Sequence, residues 1–231
     1  MIRLESTGNL ARVDFEGTQT LGGEGEVVFA GSGDLNWVRA TEAGTVLTIG
    51  EGILVHGTQS GMVGPHDVAA WTPAPQLIVL GRIVADTAGE SISLNGGLVR
   101  NEGTLQALDG ALLQVNNLVN AGTISAGAGG SINVSGDLTS QPGAVTSVLL
   151  GGTATTQYGR ITISGIARLQ GVLSVRNSDG FTPAIGDSFE ILTFGSSDGA
   201  FSAIGDEDPD DSVTYVWVST ATTLNLNVVP V

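Results

Sequence analysis

Near the C-terminal end the chain carries five carboxylates in six residues, Asp206-Glu207-Asp208-Pro209-Asp210-Asp211. Clustered oxygen ligands suit Ca2+, so Asp206, Asp208, Asp210 and Asp211 are the candidate metal ligands. The spacing is not that of an EF-hand loop, and a proline-containing acidic turn is otherwise simply solvated. Earlier, His66, Asp67 and Trp71 fall in a segment punctuated by Gly61, Gly64, Pro65, Pro73 and Pro75. A flat ring stacks on a sugar face, which makes Trp71, with His66 beside it, the candidate ligand contact. Trp37, Tyr158 and Trp217 are the other aromatics that could serve. Trp217 alternates with Val213 and Tyr215 and reads as core or end-cap packing.

Other motifs fail on their chemistry. Gly195-Ser196-Ser197-Asp198-Gly199 fits the G-x-S-x-G string of a hydrolase elbow, which needs a strand-to-helix turn and a histidine base downstream. The two histidines, His56 and His66, both lie upstream, and a hairpin turn is the better reading. Gly22-Gly23-Glu24-Gly25-Glu26 approaches a calcium nonapeptide repeat but occurs once, and Val27 stands where Asp is required. It reads as a glycine turn entering a strand over 27–30. Asp86, Asp109 and Asp137 fall at Gly-rich corners, with Arg82 and Arg100 isolated from them, so no catalytic acid–base set emerges. The chain is expected not to be an enzyme and to need no cofactor, Ca2+ being the one ion its chemistry admits.

The elements that would position these groups follow from composition and pattern. In 231 residues there are 8 Lys+Arg, all of them Arg, against 23 Asp+Glu, for a net charge of −15. Such a surface disfavours nucleic acid, whose binding rests on neutralising phosphates. The absence of Cys removes thiol catalysis, thiolate metal sites and disulfides. No apolar run reaches the roughly 18 residues of a membrane span, so no membrane insertion by this segment is expected. The start, MIRLESTGNLARVDFEG, has no apolar core of a signal peptide. An extracellular location would therefore require a signal already removed, or that the chain be a segment of a longer protein.

Thirty-five glycines without a collagen period, together with a positive mean hydropathy of +0.25, exclude collagen and a disordered acidic tail. Short alternating runs dominate: Ile92 and Leu94, Leu113 and Val115, Ile132 and Val134, Ile161 and Ile163. The spacing predicts an all-β chain. Its middle repeats, for Asn101, Gly103, Thr104, Leu105, Ala107, Leu113 and Val115 return 19 residues later as Asn120, Gly122, Thr123, Ile124, Ala126, Ile132 and Val134. A looser copy, Ile83, Ala85, Ile92 and Leu94, lies 21 or 22 residues before its counterparts. A period near 20 with two or three strands per copy suits one turn of a β-solenoid. Gly103 and Gly122 are expected at positive φ in a corner. Asn101 and Asn120 tolerate left-handed geometry and, if stacked, form an inward hydrogen-bonded ladder.

Three zones result: an N-terminal β segment or cap over 1–43, solenoid rungs over 44–150 with a loop bulging near 58–76, and a C-terminal β-strand section over 151–231 that caps the coil. An open end instead offers unpaired N–H and C=O groups to another chain.

GEGEVVFAGSG (23–33), LTIGEGILVHG (47–57) and LVNAGTISAGAGGSINVSGDL (118–138) resemble the repeats of bacterial β-helical exoproteins and adhesins. YGRITISGIARLQGVLSV (158–175) and GFTPAIGDSFEILTFGSSDGAFSAI (180–204) look like the C-terminal part of autotransporter-type passenger domains. The resemblance covers roughly residues 22–229. It implies an all-β, right-handed parallel β-helix, exported and built as a stalk or adhesive surface, without catalysis; no membrane barrel is expected within residues 1–231, a departure from the autotransporter pattern.

The expected function is therefore a non-enzymatic segment of a secreted or cell-surface bacterial adhesin or matrix protein. Its expected partners are polysaccharide, a cell surface, or copies of itself. A self-assembling filament or sheath subunit, joined through Met1 to Leu21 or through Thr223 to Val229, is the first alternative. A polysaccharide-active β-helix enzyme is the second.

Overall fold

The computed structural model describes residues 1–65, 72–178, 180–206 and 213–231. The described residues contain no helix and 23 strands, numbered β1 to β23 along the chain. Glycine, asparagine or aspartate interrupts each apolar run before a helix can propagate, while β-branched residues in alternation favour a pleated surface with one buried side.

The strands form parallel ladders, each strand pairing with one a full turn further along. The first ladder joins β1 (Ile2–Ser6), β4 (Gly25–Gly31), β7 (Ile53–Gly57), β10 (Arg82–Ala85) and β13 (Thr104–Ala107). It continues through β15 (Thr123–Ala126), β17 (Val145–Leu150), β19 (Val172–Asn177) and β21 (Ala203–Asp206). The second ladder joins β2 (Ala11–Phe15), β5 (Asn36–Ala40), β8 (Gly61–Val63) and β11 (Ser91–Leu94), then the first halves of β14 (Leu112–Asn120), β16 (Ser131–Ser140), β18 (Arg160–Leu169) and β20 (Ser188–Gly199). The third joins β3 (Gln19–Leu21), β6 (Val46–Ile49), β9 (Gln76–Val79) and β12 (Leu98–Asn101), and β12 then pairs with the second half of β14. Parallel pairing thus begins at Ile2 and runs unbroken across residues 43 and 44, where β4 pairs with β7.

The register matches the internal repeat. Leu105 lies beside Ile124, and Asn101 bonds Asn120 across a separation of 19 residues. Ile83 pairs with Leu105, and Ile92 with Leu113, as the looser copy requires. One inward column of the first ladder reads Val27, Val55, Ile83, Leu105, Ile124, Thr146, Leu173, all buried. Burying each aliphatic side chain of such a column is worth about 1.5–3 kcal/mol against exposure. The third ladder's column runs Ile49, Val79, Asn101, Asn120, Ser140, changing from apolar to polar midway.

Four expectations need correction. Gly103 and Gly122 do not have positive φ. A Cβ on Gly103 would stand 2.1 Å from the Gly81 carbonyl oxygen, and one on Gly122 would stand 2.2 Å from that of Gly103. These glycines serve the close approach of successive turns; left-handed backbone in that region is found instead at Gly110, Gly129 and, as the one non-glycine case among the described residues, Asp109 with φ of 51°. Asn101 and Asn120 likewise avoid the left-handed region and point inward as a ladder, with Asn101 Nδ2 donating to Asn120 Oδ1 at 2.7 Å and to Thr123 O at 3.0 Å.

Within the expected loop near 58–76, Gly61–Val63 is strand β8 in the second ladder, while residues 66–71 lie outside the described residues. Gly61 is there for space: a Cβ would stand 2.2 Å from the Phe29 ring, which is wholly buried. Gly195–Gly199, expected as a hairpin turn, is extended strand, with Ser196 beside Ile166 and Gly199 beside Leu169 in parallel pairing.

At the C-terminal end the chain direction reverses. Strand β23 (Thr223–Pro230) lies antiparallel between β20 and β22 (Val213–Ser219). Tyr215 and Val213 are buried there, and Trp217 packs partly buried against the core. Both edges of Thr223–Val229 are therefore used within the chain, so this strand is not the one that could pair with a second molecule. Among the described residues the main run of that sheet ends in two edge strands, β2 at the N-terminal end and β22 at the C-terminal end.

Candidate functional site

The site is built around Asn36, whose side chain is fully buried at the start of β5. Its Oδ1 accepts the Ser6 amide at 3.0 Å, and its Nδ2 donates to the carbonyls of Ala30, Gly33 and Ser60 at 3.2, 3.1 and 3.1 Å. One side chain thereby fixes the turn over 31–35 and ties three successive turns of the coil. Strand alternation then sends the next residue, Trp37, outward.

Trp37 pairs in register with Met62, and Met62 with Ser93, on the outer side of the second ladder. Around them lies a groove of about 370 Å3, lined by Asp34, Trp37, Ser60, Met62, Ser93 and Asn95. The Arg39 guanidinium sits 5.8 Å from the Trp37 ring centroid and is itself held by both oxygens of Asp14 at 2.9 and 3.0 Å. This cation–π contact orients the indole. The opposite wall is equally fixed. Glu90 Oε2 accepts the Ser60 amide at 2.9 Å and the Ser60 hydroxyl at 2.7 Å, while the Ser91 amide donates to Ser60 Oγ at 2.9 Å. Asn95 Nδ2 lies 3.0 Å from Met62 Sδ.

The groove therefore offers an oriented indole, a thioether floor, one exposed carboxylate at Asp34, and hydroxyl and amide groups that both donate and accept. That set complements a polyhydroxylated ring, whose C–H face is apolar and whose rim hydrogen-bonds. Ser60 acts as a staple of its turn, since its hydroxyl is engaged by Glu90 and by the Ser91 amide.

A second polar row crosses the first ladder. His56 Nε2 lies 3.2 Å from Glu26 Oε2 and its Nδ1 lies 3.5 Å from Asp86 Oδ2. The imidazole bridges three turns, and Asp86, which the sequence places at a Gly-rich corner, is one of its partners. Among the described residues no group of three or more His, Cys, Asp or Glu is gathered closely enough to hold a metal ion.

Corner acids also satisfy backbone. Where β16 and β18 bend, Asp137 Oδ1 accepts the Ile166 amide at 2.9 Å and its Oδ2 accepts Arg168 Nη1 at 2.9 Å. The amide bond first, and the guanidinium second, hold the Asp137 carboxyl below the usual carboxylate range. Asn117 Oδ1 does the same service one turn earlier, accepting the Asp137 amide at 3.2 Å.

Of the residues singled out for binding, His66 and Trp71 lie outside the described residues, as do Asp208, Asp210 and Asp211. The backbone of Asp206 closes β21. Tyr158 is buried, edge-on to Phe189 at 5.4 Å, and so is core. Among the described residues, Trp37 is the one of these aromatics that lines the groove. Its companions Asp34, Ser60, Met62, Ser93 and Asn95 come from two later turns as well as its own, and only the register between turns brings them together. No protein-family model matches this chain, and a search of curated proteins finds no match either.

Proposed function

We propose that the chain is a right-handed parallel β-helix from a secreted or cell-surface bacterial protein, and that it supports adhesion or matrix structure without catalysis. The hand follows from the rule that crossovers between parallel strands of one sheet are right-handed in about 98% of cases. The Trp37 groove is the observation that carries the functional reading. A rigid coil holds it in place, and its chemistry suits saccharide. Polysaccharide or a glycan-bearing cell surface is the partner, and the exterior of the cell is where such partners are met. Affinity electrophoresis of the purified chain through gels containing polysaccharides tests this. Retardation that Trp37→Ala removes is expected; equal migration of both proteins in every polysaccharide overturns the saccharide reading.

A second reading, self-association, is favoured by β22, an edge strand on which Val216 and Val218 are 42% and 46% exposed. An edge of this kind accepts a strand from a second copy. Light scattering across a concentration series distinguishes it: mass that rises with concentration and falls back in a Val216→Lys/Val218→Lys variant supports assembly, and a constant monomer mass removes it.

A further inference from the structure

The Trp37 groove does not end at Ser93. On the outer side of the second ladder Ser93 pairs with Gln114, Gln114 with Asn133, Asn133 with Thr162, and Thr162 with Thr193. The row is therefore Trp37, Met62, Ser93, Gln114, Asn133, Thr162, Thr193, one residue per turn. Six inter-strand steps at about 4.8 Å give it a length of roughly 29 Å. From Ser93 onward every member carries an uncharged group that both donates and accepts hydrogen bonds. Thr162 and Thr193 already touch through their hydroxyls at 3.1 Å, so the far end is ordered without a charge.

The flanks keep the same character along the middle of the row, while Arg39 on β5 and Glu190 on β20 carry charge at its two ends. Asn116 and Ser135 pair on one side of the row, and Ser131 stands on the other. The outward positions of β11 and of the first halves of β14, β16 and β18 include no carboxylate, and Arg160 is their only charged residue. This is notable in a chain that carries 23 Asp+Glu. Other outward surfaces bear the charge, such as the Arg3–Glu5 pair of β1 and the Glu26–His56–Asp86 row.

We infer that this row binds a linear, uncharged polysaccharide laid lengthwise along the coil, with Trp37 stacking on one sugar ring and the Ser93-to-Thr193 side chains bonding to the rings that follow. The inference rests on the saccharide reading above and adds to it the polymer's charge, shape and direction. Each pyranose of an extended chain advances by about one turn of the coil, so the hydroxyls of successive residues meet successive members of the row. Single contacts to exposed hydroxyls and amides are weak because water competes for them. Affinity is then built by repetition along the row, as in any multivalent contact. A polyanion is disfavoured twice, by the net charge of −15 and by a row with no cation among its members.

The test uses the full chain in affinity electrophoresis with hydroxyethylcellulose, xyloglucan, galactomannan and dextran as neutral probes, and polygalacturonate and alginate as acidic ones. Calorimetric titration with oligosaccharides of three to eight residues from the retarding polymer follows. The variants are Trp37→Ala, Asn133→Glu and Thr162→Glu, with Asn133→Gln and Thr162→Ser as conservative partners and thermal unfolding as the check on folding. At least one neutral polymer is expected to retard the protein while neither acidic polymer does. Affinity is expected to rise on the order of tenfold between the three- and six-residue oligosaccharides. Asn133→Glu and Thr162→Glu, several turns away from Trp37, should each weaken binding about tenfold, and the conservative variants should restore it. Binding that Trp37→Ala abolishes while Asn133→Glu and Thr162→Glu leave it unchanged, or that does not grow with length, overturns the lengthwise row and leaves the saccharide reading standing. Retardation by acidic polymers alone overturns the inference on charge. Retardation by none overturns both it and the reading beneath it.

Discussion

Replacing Asn36 by aspartate keeps the shape of the side chain and reverses half of its chemistry, which makes it a sharp probe of the node beneath the groove. Oδ1 still accepts the Ser6 amide, bonded at 3.0 Å. The former Nδ2 becomes an oxygen facing the carbonyls of Ala30, Gly33 and Ser60, now bonded at 3.1 to 3.2 Å. Three attractive contacts turn repulsive, and a carboxylate is placed where the side chain has no exposure. Asn36→Ala is gentler. It strands one buried amide, at about 1–3 kcal/mol, and removes three bonds to carbonyls that keep a second lone pair. We expect about 3 kcal/mol for Asn36→Ala, which corresponds to a fall in Tm of roughly 6–12 °C in a chain of this size, and a larger loss for Asn36→Asp. Coil proteins open locally as well as globally, so the loss should concentrate in the first turns. Thermal unfolding followed by circular dichroism gives the total, and hydrogen exchange at the Ser6 and Gly33 amides locates it. An Asn36→Asp protein as stable as the parent at neutral pH, with those amides still protected, would refute the reasoning.

Three further outcomes follow from other parts of the coil. Asn101→Val with Asn120→Val extends the apolar column begun by Ile49 and Val79 and removes a pair whose remaining Oδ1 and Nδ2 atoms are buried without partners; because both partners go together, thermal unfolding should find stability within about 1 kcal/mol of the parent or above it. Gly61→Ala drives a methyl into the enclosed Phe29 ring and should lower stability by about 1–3 kcal/mol, with Phe29→Leu relieving part of the loss in a double-mutant cycle; strictly additive effects would remove the contact from the account. Asp137 titrates below its unfolded range, so its contribution is present above the unfolded carboxylate pKa and is lost as pH falls through the depressed folded value; Asp137→Asn should lower stability at neutral pH and flatten the acid limb of the stability-versus-pH curve, the two proteins converging as the pH falls.

How much of this could be read in advance depended on whether a signal lay within one turn or between turns. Leu105 and Ile124 share a register that the sequence repeats at seven positions, and Ile83 and Leu105 one that it repeats more loosely, so the parallel pairing and the stacked Asn101 and Asn120 were legible. Turns before residue 83 are longer and unlike one another. Ile2 pairs with Val27 without a shared word around them, and the Gly-Glu-Gly that precedes both Val27 and Val55 recurs after 27 residues where the register is 28, so the repeat did not by itself place the strands of the first 43 residues in the same ladders. Gly103 and Gly122 were visible as necessary glycines, but a corner that needs positive φ and a corner that needs a neighbouring turn's backbone at contact distance look alike in sequence. The groove was hidden for the same reason. Trp37 could be seen to alternate outward from Asn36 and Val38, yet Ser60 and Asn95 become its neighbours only through pairings set far along the chain. The reversal at β23 was invisible because Leu224, Leu226 and Val228 alternate equally well in parallel or antiparallel company.

The long turns that concealed the register also set how the coil yields to tension. Its inter-turn hydrogen bonds run along the axis, so a pull on the two ends loads them in series, like a zipper opened from one side. Turns then detach one after another, and none shears past its neighbour. Each detachment frees the chain of a single turn, from the 19 residues that separate Asn101 from Asn120 to the 31 that separate Gly171 from Ser202. At about 3.4 Å per extended residue that is a step of roughly 65 to 105 Å. Under load the molecule is a ratchet of unequal links: it gives way gradually, lengthens by far more than its folded height, and dissipates work at each step.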